Sequence, residues 1–387
     1  MLPLAGVRVV EFCQVLAGPY CGMLLADLGA EVIKVEPLEG DMMRQWPPIT
    51  EGARGSYSEN FASINRNKRS VALDLKDPVH KEAARKLVLS ADVLLENNRP
   101  GVMDRLGLGY NSFKEEKPGL VYCSISAFGQ TGPRAKDGGF DVTVQAMSGV
   151  MSVTGEPDGA PVKSGVPVSD VGTGLYAALT IVSLLRRVAG GGPGAHIDAS
   201  MLGASLGMAA LQTSELFGSG KDPKRLGSAH PRNAPYQAFK ALDGHFVIAA
   251  GNNKLWQSVT EVVARPDLLA DPRFATTLLR AQNQVALKDL LEVEFAKRGV
   301  DHWIVAFGKA GVPYGRINSY SQILADPQVA HMGWVEDMEL PSGVKTKTFG
   351  FPIRITGVDL SKRREPPALG ADTEAILGAA VLKRAAE

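Results

Sequence analysis

The chain has 387 residues, 45% of them apolar and 21% charged, the make-up of a soluble globular protein rather than a disordered or fibrous one. Lys and Arg number 42 against 41 Asp and Glu, so no whole-molecule field is available to gather nucleic acid or an anionic membrane. The length exceeds one ordinary hydrophobic core and predicts two domains.

Taken in chain order, the first third alternates short β-branched runs with amphipathic stretches. Val7 to Phe12 and Glu31 to Val35 read as strands, with a helix from Tyr20 to Leu28 between them that stops at Gly29. Ser70 to Leu75 is a further strand, followed by a helix from Pro78 to Ser90; Asp92 to Leu95 and Leu120 to Ile125 are the next strands. Strands separated by helices of this length imply βαβ units, hence a largely parallel sheet covered on both faces. Helices are expected from Asp170 to Val188 and Ser200 to Phe217, with a glycine-rich turn and one strand between them. The run GSGKDPKRLGSAHPRNAP, residues 218–235, is polar and rich in Gly and Pro, and reads as a linker, lid or binding segment. Beyond it comes a smaller α+β section: a strand from Phe246 to Ala250, and helices Lys254 to Ala264, Arg273 to Arg298 and Asp301 to Lys309. Strands Trp334 to Leu340 and Phe351 to Thr356 and a closing helix from Asp372 to Glu387 complete the reading. The expected division is a large domain over 1–217, a linker over 218–235, a small domain over 236–325 and a return to the large domain over 326–387.

The cysteines, Cys13, Cys21 and Cys123, are odd in number and widely spaced, without disulfide or zinc spacing. No basic leader and no run of about 18–20 uninterrupted apolar residues is present. A cytoplasmic protein without membrane or nucleic-acid partners is therefore expected. Nor is there a serine elbow, an HExxH pair or a paired-cysteine site; of the histidines, His230 in the 218–235 segment is the one of interest.

Glu36 ends the second strand where a ribose-binding acid would sit. A dinucleotide turn, however, needs Gly-x-Gly-x-x-Gly, and QVLAGPYCG supplies Gly18 and Gly22 only, with Pro19 between them. The stretch Leu16-Ala17-Gly18-Pro19 still presents backbone N–H groups at a helix start, which suits an anionic or amide ligand. Basic residues follow strand ends: Arg44, Lys68, Arg69, Lys76, Arg99 and Arg105. Singly they are ordinary solvated charges, whereas together they could meet a ligand with several phosphates. In GEPDGAPVKSGVPVSDVGTGLYAA, Asp170 opens a helix. On the residues alone it is an N-cap worth about 1 kcal/mol, or a carboxylate kept ionised by the helix N-terminus and available as a nucleophile.

The segments VLAGPYCGMLLADLGAEVIKVE, GDMMR, NRNKRSVALDLK, LLENNRPGVMDRLGLGY and GEPDGAPVKSGVPVSDVGTGLYAA resemble, in order and spacing, the class III CoA-transferases. That family includes formyl-CoA transferase, carnitine CoA-transferases and α-methylacyl-CoA racemases. The resemblance implies an α/β fold with a Rossmann-like parallel-sheet large domain and a smaller α+β domain, in an interlocked homodimer. It implies that Asp170 is the nucleophile, that coenzyme A and acyl-CoA are substrates with carboxylic acids, and that no cofactor is permanently bound. Gln14, Leu16 and Ala17 match the stretch over the thioester and pantetheine arm. Leu73 and Lys76 match positions flanking adenine and phosphates, and Asn97, Asn98 and Arg105 match a CoA-binding segment. Gly251 and Asn252 fall in the family's mobile glycine loop, here Ala250-Gly251-Asn252-Asn253. Arg44, His230 and Arg232 are candidates to meet a distal carboxylate. Formyl-CoA transferase has a glutamine where this chain has Leu16 and a histidine where it has Gln14, which argues against formyl-CoA and oxalate as the substrate pair. The racemase branch needs a histidine where Phe140 stands, and phenylalanine is no base. Racemase or epimerase activity and a non-catalytic CoA-binding role are thus the alternatives to CoA transfer.

Overall fold

The computed structural model describes residues 1–378 and divides into two compact units. The first unit comprises Met1–Val150, Lys163–Lys221 and the chain from Pro327 onward. Its order begins β1 (Arg8–Phe12), α1 (Ala17–Asp27), β2 (Glu31–Glu36), a hairpin of β3 (Ile49–Gly52) and β4 (Gly55–Ser58), α2 (Glu59–Asn65) and β5 (Lys68–Ala72). It continues with α3 (Pro78–Leu89), β6 (Val93–Glu96), α4 (Val102–Arg105), β7 (Val121–Ser126), α5 (Asp141–Met147) and α6 (Val168–Ala189). Next come β8 (Ala195–Ser200), α7 (Met201–Met208) and α8 (Ala210–Ser219).

Six of these strands form one all-parallel sheet in the order β5-β2-β1-β6-β7-β8. Numbered by appearance within the sheet this is 3-2-1-4-5-6, the doubly wound order, which reverses direction between β1 and β6. Both faces are covered, as the near-continuous apolar runs require. Val9, Val32, Leu95 and Cys123 pack under α1 and α6 through Leu24, Leu25, Ala177 and Ile181. Their sequence neighbours Val10, Ile33, Leu94 and Tyr122 point the other way, onto Ala84, Leu87 and Val88 of α3. Asp77 caps α3 by accepting from the N–H groups of Val79 and His80.

The second unit comprises Met151–Val162 and Asp222–Asp326. It holds a three-stranded antiparallel sheet of β9 (Tyr236–Lys240), β10 (His245–Ala249) and β11 (Tyr314–Arg316), packed with α9 (Asn253–Val262) and further helices around Phe239, Phe246, Phe295, Trp303 and Phe307. Residues 222–235, read from the sequence as linker, belong to this unit, and so does 151–162, a piece taken from the middle of the expected first segment.

Other differences have local causes. The helix expected over 273–298 is two, Thr277–Gln282 and Gln284–Phe295. They part at Asn283, whose side-chain amide donates to the Leu279 and Arg273 carbonyls. The helix expected over 200–217 divides at Ala209. Residues 351–356 form no strand, since Pro352 lacks an N–H; the partner of β12 (Val335–Glu339) is instead β13 (Lys345–Phe349), whose polar alternation hid it. Of the closing helix only Thr373–Leu377 falls among the described residues, the rest of that reading lying outside them. Finally, α6 carries an 18-residue window of mean hydropathy 1.5, long and apolar enough by composition to cross a membrane. The sequence reading passed over it because Ser, Thr and Asp interrupt the run, and in the structure one of its faces packs on the sheet.

Candidate active site

At the carboxyl ends of β1, β2, β5 and β6, beside the point where strand order reverses, lies a cavity of about 360 Å³. Phe12, Val35, Glu36, Leu73, Asp74, Lys76, Asn98 and Met103 line it, with Gln14 at its edge. Open α/β sheets bind ligands at this position. Of the residues singled out in the sequence, Gln14, Leu73, Lys76 and Asn98 thus meet at one cavity.

The chain leaves β1 through a tight elbow, Cys13 to Leu16, before α1 begins. Asn97 clamps the elbow reciprocally, accepting from the Gln14 N–H at 2.9 Å and donating to the Gln14 carbonyl at 2.8 Å. Val15 has φ +66°, a left-handed conformation that a β-branched residue adopts at a cost of about 1–3 kcal/mol. Its N–H donates to both Asp41 carboxylate oxygens at 3.2 Å. No side-chain hydrogen bond from Leu16 caps the start of α1, whose first turn carries the N–H groups of Ala17 and Gly18, Pro19 having none. Gly18 is required here, because a Cβ on it would lie 2.4 Å from Cys13 Sγ.

Helix α6 packs against this start of α1. A Cβ on Gly174 would stand 2.9 Å from the Ala17 carbonyl, so the glycine permits the approach. Asp170 lies one helical turn earlier on the same face. It is not the N-cap. Pro167 takes that position and the helix starts at Val168, so the Asp170 side chain caps nothing. The capping acceptor comes from α5: Asp141 Oδ1 accepts from the N–H groups of Ser169 at 2.9 Å and Asp170 at 3.4 Å. Asp141 Oδ2 accepts from Gln145 Nε2 at 2.6 Å, and Gln145 Oε1 accepts from the Ser164 N–H at 2.9 Å, which ties down the segment leading into α6. Neither Asp141 nor Gln145 stood out in the sequence, since each acts on residues about 20–30 positions away and no local pattern marks that pairing.

The surroundings of Asp170 work against the ionised form that a helix N-terminus favours. Burial first, and the neighbouring Asp141 charge second, push the Asp170 carboxyl up from 3.8 to about 7. A change of that size corresponds to roughly 4 kcal/mol, larger than the 0.3–1 kcal/mol a helix terminus ordinarily offers a carboxylate. Asp141 has taken the helix N–H donors that would have lowered it. Near neutrality Asp170 is therefore poised between its two forms. Glu96, at the end of β6, accepts from the Asn98 N–H, and burial likewise pushes its carboxyl up to about 7.

Other expectations are redirected. The Arg44 guanidinium is paired side-on with Glu36, at 2.7 and 2.8 Å, donates to the Pro367 carbonyl and lies 3.8 Å over Phe61, so it is committed inside the protein and not presented to a substrate carboxylate. The same pairing, with a hydroxyl bond from Ser70, occupies the Glu36 carboxylate that a ribose would need. Arg105 is exposed in α4 and does not line the cavity, although its neighbours Met103 and Leu106 do. Phe140 precedes α5, 70% exposed. In the second unit, Asn252 caps α9 by accepting from the Leu255 N–H at 2.9 Å, with Gly251 before it. His230 Nδ1 accepts from the N–H groups of Arg232 and Asn233, and burial and the Arg232 charge hold its pKa below the usual range. Among the described residues no group of three or more His, Cys, Asp or Glu side chains could hold a metal ion.

Comparison with known proteins gives the family. The family model described as CoA-transferase family III matches residues 4–373. The succinyl-CoA:glutarate CoA-transferase of Mus musculus is 39% identical, over 97% of this chain and 86% of its own. A succinate–glutarate CoA-transferase of Agrobacterium fabrum is 40% identical, over 95% and 93%. The crystal structure of a CAIB/BAIF family protein from Brucella suis superposes with a TM-score of 0.87 at 41% identity, covering 97% of this chain and 98% of that one. The chain belongs to CoA-transferase family III and is a class III CoA-transferase.

Proposed function

We propose that the enzyme moves CoA from succinyl-CoA to a dicarboxylic acid of glutarate size, with Asp170 as the covalent relay. The observation that supports this reading is Asp170 itself: its side chain caps nothing, its carboxyl is pushed up to about 7, and it stands one turn from the contact between α6 and the start of α1. The substrate pair is suggested by the two relatives named for succinate and glutarate.

In the first step an ionised Asp170 oxygen attacks the donor thioester carbonyl. The C–S bond breaks, leaving a mixed anhydride and CoA thiolate. The thiolate attacks the aspartyl carbonyl, releases the donor carboxylate and forms an aspartyl-CoA thioester. The acceptor carboxylate attacks that thioester to give a second anhydride, and the freed thiolate then attacks the acceptor's acyl carbon. Product acyl-CoA leaves and Asp170 is again a carboxylate. No proton is consumed over the cycle, and each step trades one activated acyl bond for another. In this reading the N–H groups at the start of α1 stabilise developing oxyanions, and Lys76 meets CoA phosphates.

Racemisation, the other chemistry of the family, would need a base where Phe140 stands. Transfer is tested by incubating the enzyme with succinyl-CoA and glutarate and following products by mass spectrometry. Glutaryl-CoA and succinate forming in equal amounts is expected. CoA and succinate alone, from hydrolysis, would count against glutarate as the acceptor.

A further inference from the structure

Four charged side chains are fully buried behind the elbow and take no part in the chemistry: Glu11, Lys34, Asp41 and Lys68. Lys34 Nζ pairs with Asp41 at 2.9 Å and Glu11 at 3.2 Å, and donates to the Cys13 carbonyl at 2.7 Å. Lys68 takes the other side of Glu11 at 2.9 Å, so two cations compensate two anions. Burial disfavours the Lys34 ammonium, but Glu11, Asp41 and Glu36 outweigh it and hold it charged.

Asp41 is the member that reaches the strained residue. Its three polar neighbours, Lys34 Nζ, the Val15 N–H and the Met43 N–H, are all donors. Only an acceptor-only group satisfies them; an amide of the same shape must turn its NH2 toward one of them. We infer that Asp41, oriented by Lys34, is a positioning residue for the CoA substrate, holding Val15 in its left-handed conformation so that the elbow keeps its shape beside the cavity. Without that clamp a β-branched residue relaxes to negative φ and carries Gln14 and the start of α1 with it. This rests on the reading that the elbow lies against acyl-CoA.

Coenzyme A itself is the probe, its dissociation constant measured by calorimetry on the full chain. Asp41→Asn should weaken CoA binding about tenfold while the rate of Asp170 acylation at saturating acyl-CoA changes less than about threefold. Glycine adopts positive φ freely, so in a Val15→Gly background the same Asp41→Asn change should cost no more than about threefold. A merely structural role for Asp41 would not be relieved by a glycine at position 15. Should Asp41→Asn not fold, Asn97→Ala, which removes the other clamp on the elbow, should weaken CoA binding about fivefold. Unaltered binding in Asp41→Asn, or in Asn97→Ala where that serves in its place, overturns the inference, as does an undiminished loss in the glycine background. Absence of CoA binding by the wild type would overturn the parent reading, and this one with it.

Discussion

At the scale of single residues, the site is a contest between two acids. Asp141 caps the helix that carries Asp170 and, in doing so, takes the donors that would have kept Asp170 ionised. The pH dependence follows. Transfer needs the carboxylate, so kcat/KM should fall below an apparent pKa near 7. Asp141→Asn keeps an oxygen for the Ser169 N–H but removes the like charge, so the acid limb of the profile should move down by ~0.5 pH unit or more. Stability runs the other way. Because its folded pKa lies above the ordinary 3.8, Asp170 contributes stability that is complete below about pH 4 and is lost as pH rises through about 7. Asp170→Asn should therefore melt higher than wild type at pH 8 and equal to it at pH 4, as read by scanning calorimetry. The sequence singled out Asp170 through its motif but not its protonation, because burial and Asp141 are supplied by distant segments of chain.

At the scale of elements, the contact between α1 and α6 sets the geometry, and its glycines differ in purpose. Gly174 faces the backbone of Ala17, which cannot move aside, so Gly174→Ala should cost about 1–3 kcal/mol and push the Asp170 turn of α6 away from α1. Gly172 faces the flexible end of Met208, and Gly172→Ala should be neutral or slightly stabilising, alanine being the better helix former. Melting temperatures of the two variants check the contrast. The parallel sheet was readable from sequence because strands buried on both faces are short apolar runs between amphipathic helices. The β3–β4 hairpin and β13 were not, although β12 was, since short strands with polar alternation look like loops until their partners are known. Asn283 shows the same limit: one side chain bonding the backbone ends a helix that periodicity carries through.

At the scale of the whole molecule, α6 has an unpartnered side. Leu175, Tyr176 and Leu179 are exposed on it, and Leu211 and Phe217 of α8 are exposed as well. Apolar surface of this kind marks an interface. We propose that a second copy covers it, in keeping with the interlocked homodimer that the family resemblance implies. Light scattering should then give about twice 41.1 kDa for the wild type, and Leu179→Glu should shift the mass toward that of one chain. A wild-type mass of one chain would contradict the dimer. The central claim, that Asp170 carries the acyl group and then CoA, is tested most directly by intact-protein mass spectrometry after mixing with succinyl-CoA, in parallel with Asp170→Ala. The account predicts hydroxylamine-sensitive acyl and CoA adducts on the wild type alone. Glutaryl-CoA formation by a wild type that never carries an adduct, or adducts of equal yield on Asp170→Ala, would contradict it.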